Sequence, residues 1–308
     1  MRAKTQNVLL IPLPTEYSHN LDDCYARARA ILKHHGKSYY FATRLFPPEL
    51  QRATSAVYAF VRLPDEIVDN SPTETPEDLA SVKAKIEEWK SDWKLAYETK
   101  SSPHPVLHIA AKTWHEYSIP YEYSEAFINA MIQDTHVTRY ETYADLKHYM
   151  YGSAAAVGLM MSHVIGFSDS VALRHARQLG YAMQLSNFLR DIEEDYFQRG
   201  RVYLPQDEMA EYSVTDEDIA HKNFSPAFKL FMQFQMQRAH QLYEEANAGI
   251  HYLKPEGRFA VMAASTLYRA ILTKLEKQNS NPFAGRAKTN KVEKILLANK
   301  ARQAVKKL

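Results

Sequence analysis

The sequence predicts an all-α protein, and three observations carry that expectation. Apolar residues recur at helical spacing along most of the chain, and no stretch alternates apolar with polar as a half-buried strand would. Glycine is scarce, nine in 308 residues, or roughly 3% where globular chains average about 7%. That scarcity disfavours sandwiches, barrels and Gly-rich nucleotide folds. With 45% apolar and 24% charged residues, the chain has the composition of a protein that buries a core. No repeat, low-complexity block or linker divides it. Residues 1–308 are therefore expected to form a single domain, with 1–20 as an N-terminal extension and 286–308 as a basic tail.

The elements follow in order. A first helix is expected over residues 21–35, ending near Gly36. Pro47-Pro48 marks the next start, because proline's fixed φ and missing N–H are tolerated in a first turn. Leu50, Ala53, Val57, Phe60, Val61 and Val68 form that helix's apolar side. Residues 70–78, with Ser, Thr and two Pro, read as a loop. Further helices are expected at about 79–99, 104–117, 122–138, 142–166, 169–197, 225–250 and 257–279. The longest apolar run, residues 154–167, includes Ser162 and His163 and falls short of the ~18–20 residues a bilayer span needs. Residues 8–13 are too short and too interrupted by Pro12 for a signal helix. With one cysteine, Cys24, no internal disulfide forms, which suits a reducing cytoplasm.

The net charge of +2 is unevenly spread. Residues 286–308 hold eight Lys/Arg against Glu293 alone, a local +7, so the remainder carries −5. Val292, Ile295, Leu296 and Leu297 recur there at roughly helical spacing, as in a basic amphipathic helix. The preferred reading is a terminal helix packed on the bundle with a solvated outer face. Contact with an anionic membrane surface is the alternative, which would make a cytoplasmic protein peripheral at the inner face of the membrane. No nucleic-acid-binding motif is present, so nucleic acid is not expected as a partner.

Several chemistries are excluded. The chain has no G-x-G pair for a dinucleotide or P-loop, no H-E-x-x-H, too few cysteines for a zinc site and no G-x-S-x-G elbow. The informative residues are carboxylates. Asp65 and Asp69 sit four apart, which stacks them about 6 Å apart on one helix face. Asp191 and Asp195 repeat the arrangement, and Gln184 and Asn187 extend their stripe upstream. A lone D-x-x-x-D is usually a solvated face. Here each pair is embedded in apolar helix and follows an arginine, Arg62 or Arg190, and like charges at that spacing destabilise a helix. Hard oxygen donors without His or Cys suit Mg²⁺, which commonly shares its coordination with substrate phosphates. The expected ligand is a diphosphate bridged to both helices, with an apolar tunnel between them.

Two long motifs then identify a resemblance. One is YMYGSAAAVG from Tyr149 to Gly158, continued by LMMSHV to Val164. The other is LGYAMQLSNFLRDIEED from Leu179 to Asp195, continued by RVYLP at 201–205. Over residues of about 35–294 the chain resembles the squalene/phytoene synthase family, the head-to-head prenyl transferases, and most resembles the phytoene synthases. The resemblance implies a helical bundle of the isoprenoid synthase type around a central apolar pocket. It implies that Asp65, Asp69, Asn187, Asp191 and Asp195 hold two or three Mg²⁺ ions. Arg62, Arg190, Lys37, Ser38, Gln184, Asn187 and Arg286 would bind diphosphate or its surroundings, and Tyr149 and Tyr268 would be pocket tyrosines beside it. The run 152–158 reads as close helix packing with room for a prenyl tail. Three departures stand out: Gly36 where relatives often have a small hydroxyl or Ala, Pro64 before Asp65, and Asn70 beside the first acidic pair.

The reaction so implied joins two geranylgeranyl diphosphates into phytoene through a cyclopropylcarbinyl diphosphate, with no NADPH. A farnesyl diphosphate enzyme making dehydrosqualene, presqualene diphosphate or squalene is the nearest alternative. An inactive scaffold that binds prenyl diphosphates is the alternative from another class.

Overall fold

The structure, a computed structural model, describes residues 20–71 and 75–308, so the extension expected at the N-terminus lies outside the described residues save for Asn20. The regular elements of the described residues are all helices; there is no strand, only isolated bridges between Tyr140 and Pro205 and between Phe167 and Leu253. Helix α1 (Leu21–His35) is capped by Asn20, has Asp22 and Asp23 in its first turn and Lys33, His34 and His35 in its last, each placed to suit the helix dipole. Helices α3 (Pro48–Asn70), α4 (Pro76–Thr99), α5 (Pro105–Glu116), α12 (Pro226–Ala248) and α13 (Pro255–Lys277) all begin on proline. Capping explains why α4 starts three residues before the periodicity does: Thr75 and Asp78 form a reciprocal box around Pro76.

Short elements escaped the periodicity because two turns or fewer give it nothing to repeat. These are α2 (Lys37–Thr43), α10 (Gln206–Glu211) and α11 (Asp216–Ala220). The helix expected over 122–138 is α6 (Tyr121–Gln133) and stops early. Thr135 folds its hydroxyl back onto the Ile132 carbonyl, and the Val137 N–H bonds Gln133, which closes the turn. The stretch expected at 142–166 is helical but irregular. It comprises α7 (Tyr143–Met150), a π-helical turn (Tyr151–Ala155) and α8 (Ala156–Ile165). Helix α3 runs unbroken through Pro64.

The longest helix, α9 (Val171–Arg199), is the axis of the fold, packed by α8, α12, α13 and the π-turn. Helix α3 is held from behind by α1, α4 and α5, through Phe60, Trp93 and Trp114. These three rings are fully buried, with centroids 4.6–5.1 Å apart. The opposite face of α3 is thus left to look across at α9. Small residues let the walls close in. A Cβ on Gly152 would lie 2.4 Å from the Ala126 carbonyl oxygen, and one on Gly180 would lie 2.6 Å from the Ala155 Cα. Neither backbone can yield cheaply. Gly152→Ala is expected to cost about 1–3 kcal/mol, the usual penalty for overpacking, read as a fall in melting temperature of several degrees with helicity retained.

The terminal helix α14 (Lys291–Val305) is capped by an Asn290–Glu293 box and packs on α13 through Ala298 and Ala301. The helix is thus packed on the bundle as expected, chiefly through small residues with Val305 near its end. The larger aliphatics Val292, Ile295 and Leu296 face out.

Candidate active site

Between α3 and α9 lies a cavity of about 820 Å³, within the range of ligand pockets. Its wall changes character along α9. Ala172, Ala176, Leu179 and Met183 line one part, an apolar wall roughly 17 Å long at 1.5 Å per residue. Beyond it come Gln184, Asn187, Arg190, Asp191, Glu194, Asp195 and Arg199. Phe127 and Met131 from α6, and Val157 and Met161 from α8, line it as well.

All thirteen residues singled out in the sequence line this one cavity. Asp65, Asp69 and Arg62 come from α3. Gln184, Asn187, Arg190, Asp191 and Asp195 come from α9. Lys37 and Ser38 open α2, Tyr149 ends α7, Tyr268 lies on α13, and Arg286 arrives from the segment before α14.

The acidic faces are held by arginines. Arg62 pairs with Asp65 and, at 2.8 Å, with Glu66. Arg190 grips Asp191 with two bonds, Nε at 2.8 Å and Nη2 at 2.5 Å. Arg286 reaches Asp191 at 3.0 Å and also pairs with Glu194. Arg199 joins the two helices directly, bonding Asp195 at 2.9 Å and Asp69 at 3.1 Å. Even so, two carboxyls stay under strain. Burial pushes Asp65 up to about 7, aided by the charge of Asp69 and opposed by Arg62. Asp65 keeps 35% of its side-chain surface open, so its desolvation comes from cavity walls that stand around it. Burial likewise lifts Asp195 to about 7, against the pull of Arg199 and with the push of Asp191 and Asp69.

Several site residues were not foreseen. Asp134, just past α6, is buried and accepts bonds from the hydroxyls of Tyr149 at 2.6 Å and Tyr203 at 3.1 Å. Arg201 ties this group to the acidic end, bonding the Asp134 carbonyl at 3.0 Å and Asp69 at 3.4 Å. Arg201 and Tyr203 lie within the RVYLP motif, where a buried arginine in an apolar run was the available signal. Asp134 had no such signal, because its partners are 15 and 69 residues away. Arg199, Lys288 and Lys294 also line the cavity. Burial and nearby Lys37 depress the Lys294 ammonium below its ordinary range, so the two cations face one space. The Gly36 departure has a local cause: a Cβ there would lie 2.8 Å from the Tyr58 ring, which occupies that place.

Burial holds Asp134 up to about 6, above the roughly 3.9 of an unfolded aspartate. The native state keeps this proton to higher pH than the unfolded chain does. Its contribution to stability is therefore whole below pH 4 and lost as pH rises through 6. Asp134→Asn removes that loss, so variant stability relative to parent should rise between pH 4 and 7, by on the order of 2 kcal/mol. Denaturation curves at stepped pH with chelator present would read it; parallel profiles for the two proteins would contradict it.

A family model described as squalene/phytoene synthase matches residues 32–293. The chain belongs to the squalene/phytoene synthase family. It is accordingly a prenyl transferase. Phytoene synthase 1, chloroplastic, of Arabidopsis thaliana is 35% identical over 89% of this chain and 65% of its own length, a little under two thirds. Phytoene synthase 2, chloroplastic, of Solanum lycopersicum is 33% identical over 90% of this chain and 89% of its own. Among solved structures, a dehydrosqualene synthase in complex with ligand superposes with a TM-score of 0.86 at 25% identity, covering 94% of this chain and 98% of that one. The family binds prenyl diphosphates, and the cavity has the two ends such a molecule requires. No described helix is long and apolar enough to cross a membrane.

Proposed function

We propose that this family member condenses two geranylgeranyl diphosphates head to head into phytoene, with Mg²⁺ and without NADPH. One observation carries the reading: Asp65 and Asp69 face Asp191 and Asp195 across the charged end of a cavity whose remaining wall is mostly apolar. The naming of the relatives at 33–35% identity as phytoene synthases supports the product.

The donor set fits magnesium of a particular kind. No group of three or more His, Cys, Asp or Glu among the described residues could by itself hold an ion. Mg²⁺ seldom needs one, since it takes one or two carboxylates and fills its octahedron with waters and phosphate oxygens. Asp65, Asp69, Asp191 and Asp195 would hold it, with Asn187 beside them. Burial first, and the neighbouring carboxylates second, raise the affinity of Asp65 and Asp195 for protons, a cost that a bound cation would relieve. Bound there, the metal would neutralise charge on a departing diphosphate.

The chain's own residues do the rest. Lys37, Arg62, Arg190, Arg286, Lys288 and Lys294 supply fixed cations for the diphosphates, preorganised for the charge that builds as the C–O bond breaks. The apolar wall from Ala172 to Met183 holds the prenyl tails and keeps water from the allylic cation. Tyr149, fixed by Asp134, stands at the junction of the two regions.

The likeness to a dehydrosqualene synthase structure favours a second reading, with farnesyl diphosphate and a thirty-carbon product. Purified protein with Mg²⁺ and each substrate separates the two by mass spectrometry, with and without NADPH. Forty-carbon phytoene without NADPH is expected. A thirty-carbon hydrocarbon as the main product would overturn the substrate assignment.

A further inference from the structure

Helix α14 carries its amphipathicity inside out. Its buried residues are small, Ala298 and Ala301, with Ala304 and Val305 partly buried near its C-terminal end. Its large aliphatics Val292, Ile295 and Leu296 are 66%, 55% and 62% exposed. At about 100° per residue these three fall within about 100° of arc, centred on the side opposite the alanines. Lys291 and Arg302 border that strip along one edge and Lys300 along the other, all exposed. An exposed aliphatic strip between two basic edges is the pattern of a helix that lies in a lipid interface.

We infer that α14 seats the protein on an anionic lipid surface, with Val292, Ile295 and Leu296 entering the headgroup region and the flanking cations on the lipid phosphates. Charge complementarity supports this occupant, because Lys291, Lys300, Arg302, Lys306 and Lys307 are all exposed on this helix and its end. The same charge opposes a second copy docking by the same face. A nucleic acid would use the cations and leave the strip in water. The helix also borders the cavity: Lys294, one residue from Ile295, lines it, as do Arg286 and Lys288 just upstream. Arg286 keeps 39% of its side-chain surface open, so the charged end of the cavity communicates with the outside. The seat follows from α14 itself, whichever prenyl chain the cavity takes.

Flotation of the full chain with vesicles tests it. The vesicles are phosphatidylcholine alone or with one third phosphatidylglycerol, at low and high salt. The parent is expected to float with anionic vesicles about tenfold more than with neutral ones, and less at high salt. The triple variant V292S/I295S/L296S should lose about tenfold of that binding. Its melting temperature and its turnover in detergent micelles should match the parent, since all three side chains face out. K300E should weaken binding without touching the strip. A parent that stays unbound, or a triple variant that floats like the parent, overturns the seat. So does a parent that dimerises through these residues and ignores vesicles.

Discussion

Asp191→Ala is expected to lose about a thousandfold or more in turnover of prenyl diphosphate while keeping its fold, and Asp65→Ala the same. The size follows from what is removed. Electrostatic stabilisation of developing charge is commonly the largest part of such a rate enhancement, and one well-placed group is worth about 10²–10³. Loss of a carboxylate that holds the proposed Mg²⁺ would remove more than the side chain, because the cation would be lost with it. The fold should survive, because most of the arginines keep other partners. Without Asp65, Arg62 retains Glu66, and without Asp191, Arg286 retains Glu194 while Arg190 loses both its bonds and keeps only the nearby charge of Glu194. Single-turnover rates together with circular dichroism check both halves. Near-parental turnover in either variant would remove that carboxylate from the site.

Arg199→Gln is expected to show its effect in stability, and to show it most without metal. Arg199 spans the cavity from α9 to α3, and losing it leaves Asp195 and Asp69 facing each other with only Arg201, 3.4 Å from Asp69, in support. Breaking a fully buried pair costs about 3–5 kcal/mol. These side chains are 12–24% exposed, so about 2 kcal/mol is expected in chelator, and a melting temperature lower by several degrees. Millimolar Mg²⁺ should restore a larger share of stability to the variant than it adds to the parent, since a cation then stands where the guanidinium stood. An equal response of both proteins to Mg²⁺ would contradict this.

The residues that sequence reasoning found and missed divide by the range of their interactions. Asp65 with Asp69, and Asp191 with Asp195, are i,i+4 pairs, so helical periodicity alone puts each on one face. That the two faces meet is a property of packing, which the family motifs supplied in advance. Asp134 is different in kind. It sits at a helix end, where periodicity says nothing, and its role is defined by Tyr149, Tyr203 and Arg201, which reach it only in the folded chain. The same holds for Lys288 and Lys294, which composition marks only as members of a basic tail. Helix α14 carries the sharpest lesson. Its apolar spacing foretold a helix correctly, but spacing does not say which face turns inward. Ala298 and Ala301 seat it closely on α13, and Val292, Ile295 and Leu296 are left outside.

The most direct test of the central claim is the stoichiometry of diphosphate release. Purified protein with Mg²⁺ and geranylgeranyl diphosphate would be followed by coupled pyrophosphate detection alongside hydrocarbon quantitation. Head-to-head condensation in this cavity ionises both substrates and predicts two diphosphates released per forty-carbon hydrocarbon, with none in chelator. One diphosphate per coupled product, or stable binding with no release at all, would contradict it.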